Sequence, residues 1–179
     1  ALTLLEAGDT SRTLWLYDTY AGMSRPSDHD ERIKVDGSGS VRITMDKWLA
    51  EQREGFNNWC YASLEDVTAN MRSTGYPEQR MRFVKGMVED TVPGTIPDRI
   101  ALLRLDTDFY ESTLHEMRHL YPRLAPGGVL IIDDYGVWRG SKTAVDQYLS
   151  EIGEHLLLTS VDETAVVAVK PFNSRAANP

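Results

Sequence analysis

The chain has 179 residues, of which 41% are hydrophobic and 26% charged, and its formal net charge is -8. This length fits one domain with a sizeable core, and the composition argues against a disordered or fibrous protein. Because the chain is acidic and has no Lys/Arg stripe, nucleic acid is not an expected partner. No apolar stretch approaches the roughly 20 residues that cross a bilayer, and no charged-then-apolar leader opens the chain. We therefore expect a cytoplasmic protein without a membrane partner.

The chain opens on an apolar run, residues 1–5, which lacks an initiator Met and resembles the later turns of a helix already under way. A lone Gly8 precedes the first strand-like run. The sequence therefore predicts that residues upstream of Ala1 are missing from this chain.

Short apolar runs alternate with longer segments of helical period, a pattern that predicts a parallel sheet covered by helices. Four short apolar runs stand out, residues 13–17, 81–85, 100–105 and 129–132. The residues that directly follow them are, in the same order, Asp18, Gly86, Asp106 and Asp133. The last two runs are almost continuously apolar, as are strands buried on both faces. Two further runs, residues 155–160 and 165–170, predict an antiparallel hairpin. The predicted fold class is α/β, with a mostly parallel sheet and an antiparallel C-terminal hairpin.

Three helices fit between these strands. Ser63 resembles the N-cap of a helix that extends to about residue 74. Asp108, three residues before Glu111, likewise predicts a capped helix to about residue 123. The third helix is predicted over about residues 142–152.

Residues 22–58 interrupt this alternation with Pro26, a polar run, Gly37 and Gly39, followed by a short helical segment over about residues 46–54. A long insertion beside a ligand site is commonly a lid or a substrate-binding loop, and disordered surface decoration is the alternative. We predict one domain, residues 1–179, in which this insertion shapes the acceptor pocket. Trp48, Trp59 and Trp138 are candidate stacking surfaces, although core packing is the commoner role.

Acidic residues end three of the four strongest strands, and ligands of open parallel sheets bind beyond the carboxyl ends of the strands. Asp18 stands where a carboxylate can accept hydrogen bonds from both ribose hydroxyls of a nucleotide, with a turn-forming role as the alternative. Asp106, Asp133 and Asp134 end what should be neighbouring strands. Three converging carboxylates would repel one another unless a cation neutralised them, and an all-oxygen set selects an ion such as Mg²⁺. We predict that these three aspartates ligate a metal, although adjacent acids are also common on solvated surfaces.

Asp108 has two interpretations, since it lies two residues beyond a predicted ligand and also at a predicted helix start. It is either a general base or only the N-cap of that helix. The sequence contains no Ser-His-Asp triad, P-loop or Cys-rich zinc motif, which argues against hydrolysis and phosphoryl transfer.

Residues 103–113, Leu-Arg-Leu-Asp-Thr-Asp-Phe-Tyr-Glu-Ser-Thr, resemble the signature of the macrocin O-methyltransferase (TylF-like) family. Further similar blocks are residues 17–23, residues 86–93, and residues 126–135 with Gly140 and residues 144–146 downstream. The resemblance spans nearly the whole chain. It implies a Rossmann-like methyltransferase fold and S-adenosylmethionine-dependent methylation of a hydroxyl, often on a deoxysugar of an antibiotic, with a magnesium-type ion in the site.

The resemblance also assigns roles to individual residues. It implies that Asp106, Asp133 and Asp134 match the metal ligands and that Asp18 matches the ribose-binding acid. By similarity to more distant catechol-type methyltransferases, the residues that flank adenine are Gly86 and Met87. Ser63 either contacts the cofactor or only caps its helix. The family has a glycine-bearing loop after its first strand, so we expect that strand and loop to be missing here.

The resulting hypothesis is an in-line displacement in which a substrate oxygen attacks the methyl group of the donor. The metal stabilises the developing alkoxide, and Asp106 or Asp108 takes the proton. The acceptor is a small hydroxylated molecule, and a homo-oligomer remains open. One alternative is a truncated or degenerate methyltransferase-like domain that acts as a binding or oligomerisation module. Another is a metal-dependent α/β enzyme of a different reaction class, such as a phosphatase.

Overall fold

The structure is a computed structural model that describes residues 1–33, 40–42 and 45–172. The helices in these ranges are α1 (Leu2–Glu6), α2 (Met45–Ala50), α3 (Leu64–Ser73), α4 (Val88–Thr91), α5 (Tyr110–His119) and α6 (Arg139–Ile152). The strands are β1 (Leu14–Asp18), β2 (Glu31–Ile33), β3 (Ser40–Arg42), β4 (Gln52–Arg53), β5 (Phe56–Asn57), β6 (Met81–Lys85), β7 (Ile100–Leu105), β8 (Leu124–Ile132), β9 (Thr159–Ser160) and β10 (Val166–Val169). None of the described helices is long and apolar enough to span a membrane.

The chain divides into two compact units, one of residues 1–25 with 47–91 and one of residues 26–46 with 92–179. The predicted insertion is shared between them, and its residues 34–39 and 43–44, which include Gly37 and Gly39, lie outside the described residues. The short helix predicted over about residues 46–54 is present as α2, but it ends at Ala50 and is followed by strand β4. A single domain with an inserted substrate loop stays a prediction.

The first unit is built on a parallel pair of strands. β1 pairs with β6 in a register that places Asp18 opposite Lys85. The pairing continues past the strand ends, because the N–H of Gly86 donates to the carbonyl of Asp18 at 3.0 Å. Helix α3 begins as predicted, with the Ser63 hydroxyl accepting a hydrogen bond from the N–H of Asp66 at 3.0 Å.

The second unit contains a four-stranded sheet in the order β7-β8-β10-β9. β7 and β8 are parallel, whereas β10 is antiparallel to both of its neighbours, which confirms the predicted C-terminal hairpin. The alternate residues of β7 and β8 that point to one face are buried: Leu103, Leu105, Leu130 and Ile132. Helices α5 and α6 pack against each other and contribute further buried side chains to this core.

Several predicted boundaries in this unit are wrong. The strand predicted over residues 155–160 is only β9, α5 ends at His119 rather than near residue 123, and α6 begins at Arg139 rather than near residue 142. Strand β8 begins at Leu124 rather than at residue 129, because Gly127 and Gly128 do not break the strand but exchange backbone hydrogen bonds with Lys170. Helix α5 has Phe109, not Asp108, as its N-cap. Asp108 has a left-handed φ of +65°, whereas an N-cap residue usually has an extended backbone.

Candidate active site

Three aspartates converge at the carboxyl end of the parallel pair in the second unit. One carboxylate oxygen from each of Asp106, Asp108 and Asp134 lies within 4.8 Å of the other two. The strand register explains the convergence, because Leu105 and Ile132 are partners and the two chains therefore leave the sheet side by side. Such a group of carboxylate oxygens has the donor set that hard divalent cations prefer.

Asp134 is the most buried member of this group, with an exposed fraction of 9%. Its Oδ2 atom is buried and has no hydrogen-bond partner in the described chain. Burying a carboxylate oxygen without a donor is costly, and such groups are usually paired or bound to a metal ion. The arrangement therefore fits a cation at this position.

The three carboxyl groups influence each other electrostatically. Burial, with the adjacent Asp108 carboxylate, raises the pKa of Asp134 to about 8. Burial also raises the pKa of Asp106 to about 6, against the lowering effect of Arg104. For Asp108, burial again dominates and raises the pKa to about 6, although a hydrogen bond with Asp134 acts in the opposite direction. A positive charge added to the site, either a proton or a cation, would therefore stabilise each of these three carboxyl groups.

Asp133, the remaining predicted ligand, lies beside this group rather than within it. Its Oδ1 atom is 2.9 Å from Nη2 of Arg104, and the same nitrogen is 3.1 Å from Oδ2 of Asp106. Arg104 therefore neutralises part of the charge of both residues. Sequence analysis did not single out Arg104, although an arginine in the middle of an apolar strand was a signal that could have been used.

Asp108 is held by contacts with residues around it. Trp138 donates a side-chain hydrogen bond to its carboxylate. Trp138 is itself buried, and its ring packs edge-on against Phe109 with the ring centroids 5.6 Å apart. Trp138 therefore has the core-packing role, which was the alternative to a stacking surface. Its indole N–H in addition orients the carboxylate of Asp108.

The predicted cofactor residues lie in the first unit. Asp18 is exposed at the end of β1, and its Oδ1 atom accepts a hydrogen bond from the N–H of Tyr20 at 2.6 Å, so the turn-forming role is present. Gly86 has a φ of +143°, and a Cβ there would lie 3.0 Å from Cγ2 of Thr91. Met87 follows it and is half-buried. The role of these residues in cofactor binding stays a prediction.

Ser63 and the other tryptophans of the first unit have structural contacts. The Ser63 hydroxyl caps α3 and donates to Oδ2 of Asp66 at 2.6 Å, so the capping role is observed. The indole N–H of Trp48 donates to the carbonyl of Met23 at 3.0 Å. Lys47 Nζ lies 3.9 Å from the ring centroid of Trp59. Trp48 and Trp59 therefore anchor their own loop.

The fold is that of a Rossmann-like α/β protein, and three acidic residues converge at the carboxyl end of the parallel strands of its second unit. The family model for macrocin O-methyltransferases (TylF) matches residues 2–170. The chain belongs to this family, and the resemblance stated from its sequence blocks is confirmed.

Curated relatives agree with this assignment. A tetracenomycin-C rhamnosyl 4'-O-methyltransferase of Streptomyces olivaceus is 35% identical over 89% of this chain and 55% of its own length. The demethyldecarbamoylnovobiocin O-methyltransferase of Streptomyces niveus is 32% identical over 91% of this chain and 57% of its own length. The chain thus spans little more than half the length of these relatives.

Solved structures confirm the predicted fold class. The O-methyltransferase NovP is 28% identical, with a TM-score of 0.75 over 94% of this chain and 64% of that protein. The calicheamicin methyltransferase CalS11 is 20% identical, with a TM-score of 0.60 over 92% of this chain and 62% of that protein, and supports the fold alone.

Proposed function

We propose that the whole protein is an S-adenosylmethionine-dependent, divalent-cation-assisted O-methyltransferase that acts on a hydroxyl of a small natural product, with a sugar moiety as the acceptor. The observation that carries this proposal is the convergence of one carboxylate oxygen each from Asp106, Asp108 and Asp134, together with the buried Oδ2 atom of Asp134 that has no hydrogen-bond partner among the described residues. Family membership supports the reaction class. The relatives that methylate rhamnosyl-tetracenomycin and mycinamicin III by name support a glycosylated acceptor.

The acidic group fits a hard divalent cation because every available donor is a carboxylate oxygen. Asp106 and Asp134 belong both to the predicted ligand set and to the observed group, and we assign them to the cation. Asp133 stays the proposed third ligand. When bound, a cation such as Mg²⁺ lowers the pKa of an alcohol that it coordinates and stabilises the alkoxide.

Asp108 is the residue to which we assign proton transfer. Its carboxylate is close to Asp106 and Asp134, and Trp138 fixes its orientation through a hydrogen bond. The acceptor hydroxyl gives its proton to Asp108, and its oxygen forms the new bond to the methyl carbon. The carbon–sulfur bond of the donor breaks in the same step, and its electron pair stays on sulfur as a neutral thioether.

The donor is assigned to the residues of the first unit. Asp18 accepts hydrogen bonds from the ribose hydroxyls, since a carboxylate that already accepts one N–H keeps further acceptor capacity. Gly86 and Met87 are assigned to the two sides of the adenine ring, and Ser63 is a further candidate contact of the donor.

The test is a methyl-transfer assay with the full chain, radiolabelled S-adenosylmethionine and a panel of sugar-bearing natural products. We expect transfer to at least one glycoside with Mg²⁺ present, and loss of transfer after EDTA treatment that added Mg²⁺ restores. Transfer that EDTA does not affect would remove the cation from the proposal. Isothermal titration with S-adenosylhomocysteine addresses the binding-module alternative, because a module without a donor site releases no heat.

A further inference from the structure

Asp30 is a buried carboxylate, 2% exposed, that sequence analysis did not single out. Its Oδ2 atom accepts hydrogen bonds from the N–H and from the hydroxyl of Ser27, both at 2.7 Å. Its Oδ1 atom accepts a hydrogen bond from the N–H of Tyr110 at 2.8 Å. Three donors compensate for the burial of this charge and fix the carboxylate in one position.

The contact with Tyr110 caps helix α5. Tyr110 is the first residue of the helix, and its N-cap, Phe109, makes no side-chain capping bond. The first N–H groups of a helix have no partner within the helix, and a carboxylate there also interacts favourably with the helix dipole. Asp30 supplies this cap from 80 residues away in the chain.

The cap fixes one end of the short segment, residues 107–109, that carries Asp108 and follows Asp106 directly. Residues 107–109 separate Asp106 from Tyr110, and Asp108 has a φ of +65° that a non-glycine residue adopts at a cost. At the other end of this segment, the hydroxyl of Thr107 donates to Oε2 of the buried Glu116 at 2.9 Å. Loss of the cap would therefore leave the Thr107 end of the segment held and free its other end, at Asp108 and Phe109.

Gly140 provides the room that Asp30 needs. A Cβ at Gly140 would overlap Oδ1 of Asp30 and lie 2.9 Å from the backbone nitrogen of Tyr110. Gly140 lies in the first turn of α6, directly after the segment that contains Trp138, the hydrogen-bond donor to Asp108. The starts of α5 and α6 thus meet at the carboxylate of Asp30.

We propose that Asp30 is a positioning residue for the acidic group: by capping α5 it holds Asp108 where its carboxylate meets those of Asp106 and Asp134. The catalytic consequence of this inference rests on the proposed function. Its geometric consequence, a fixed conformation of residues 107–109, does not.

The experiment compares Asp30→Ala and Asp30→Asn with the wild type in the full chain, using Mn²⁺ binding followed by electron paramagnetic resonance and methyl-transfer kinetics. For Asp30→Ala we expect kcat to fall about 10–100-fold, as for the loss of residues that support a functional group, while Mn²⁺ affinity changes little because Asp108 is the assigned base and not a ligand. The KM for the methyl donor should change little, since that site lies in the other unit. Asp30→Asn keeps an oxygen that can accept from Tyr110, and should recover most of kcat.

Two further variants control for a general structural effect. Glu31, the residue next to Asp30, forms an ion pair with Arg139, with Oε2 and Nε 3.5 Å apart. Glu31→Gln removes this ion pair and should behave as the wild type. Gly140→Ala displaces the Asp30 carboxylate without removing it, and should reproduce the kinetic defect of Asp30→Ala. Normal kinetics in Gly140→Ala would contradict the proposal.

Amide hydrogen exchange separates failure of this inference from failure of the proposed function. Asp30→Ala should accelerate exchange across residues 107–110 even if the wild type transfers no methyl group and binds no Mn²⁺. Acceleration confined to Tyr110 would overturn the positioning role. So would a variant that melts at a lower temperature but keeps the kcat of the wild type.

Discussion

Two buried aspartates of the second unit, Asp30 and Asp134, have opposite environments. Both carboxylate oxygens of Asp30 accept hydrogen bonds from the chain, three in total. Asp134 has one buried oxygen without a donor, and the carboxyl group of Asp108 is its neighbour. The first carboxylate is satisfied by the fold that surrounds it, whereas the second is placed where added positive charge stabilises it. The difference separates the residue that we propose positions other groups from the residue that we propose binds a cation.

The largest expected effect on kcat comes from removing the carboxylate of Asp134. Asp134→Ala should lower kcat by roughly 10³-fold or more, since the metal contribution is several kcal/mol and each 1.36 kcal/mol is tenfold in rate. Donor binding should be retained, as measured by titration with S-adenosylhomocysteine. The matched control is Asp98→Asn, a fully exposed acid of the same unit. A near-normal kcat in Asp134→Ala would remove the basis of the comparison.

A second pair of variants sharpens the distinction within the acidic group. Asp108→Asn should lower kcat about 10²–10⁴-fold, the usual range for a lost general base, with little change in Mn²⁺ affinity. Asp133→Asn should instead weaken Mn²⁺ binding, as expected of a ligand. Binding followed by electron paramagnetic resonance, together with kcat for each variant, checks the assignment. The reverse result would exchange the two roles.

The comparison also predicts stability changes of opposite sign in the metal-free protein. The folded-state pKa of Asp134, about 8, lies above the value of about 4 for an unfolded chain, so its contribution to stability falls as pH rises through this interval. Asp134→Asn should therefore stabilise the protein at pH 8 in EDTA, by about 1–3 kcal/mol, and much less at pH 4. Asp30→Ala should destabilise it at both pH values, because three donors lose their acceptor. Melting curves at the two pH values test both signs, and destabilisation by Asp134→Asn at pH 8 would contradict the argument.

The acids that end strands were predictable because a strand's apolar run and the residue that follows it are both local features of the sequence. Once β7 and β8 are recognised as parallel neighbours, their common register brings Asp106 and the Asp133-Asp134 pair to the same edge. The parallel strands, the C-terminal hairpin and the cap of α3 depend on signals of the same short range.

Features that depend on remote contacts were not predictable in this way. The Asp-x-x-Glu pattern at Asp108 indicated a local cap, but the left-handed backbone of that residue removes it from the capping position. The actual cap comes from Asp30, and no short-range pattern marks a contact over 80 residues. The interaction of Arg104 with both Asp106 and Asp133 likewise requires the sheet to be formed first.

The smallest expected effect concerns Ser63, a cap that is local where Asp30 is remote. Ser63→Ala removes the acceptor for the N–H of Asp66 and should destabilise the protein by about 1 kcal/mol, or roughly 2–4 °C in Tm for a chain of this size. Ser63→Thr keeps a hydroxyl and should recover most of this loss, while Ser73→Ala, at the far end of the same helix, is the control. Because the Ser63 cap joins residues three apart, its loss should accelerate amide exchange only in the first turn of α3. Exchange that spreads beyond α3 would show that a local cap acts over the same range as the remote cap of Asp30, and the distinction between them would fail.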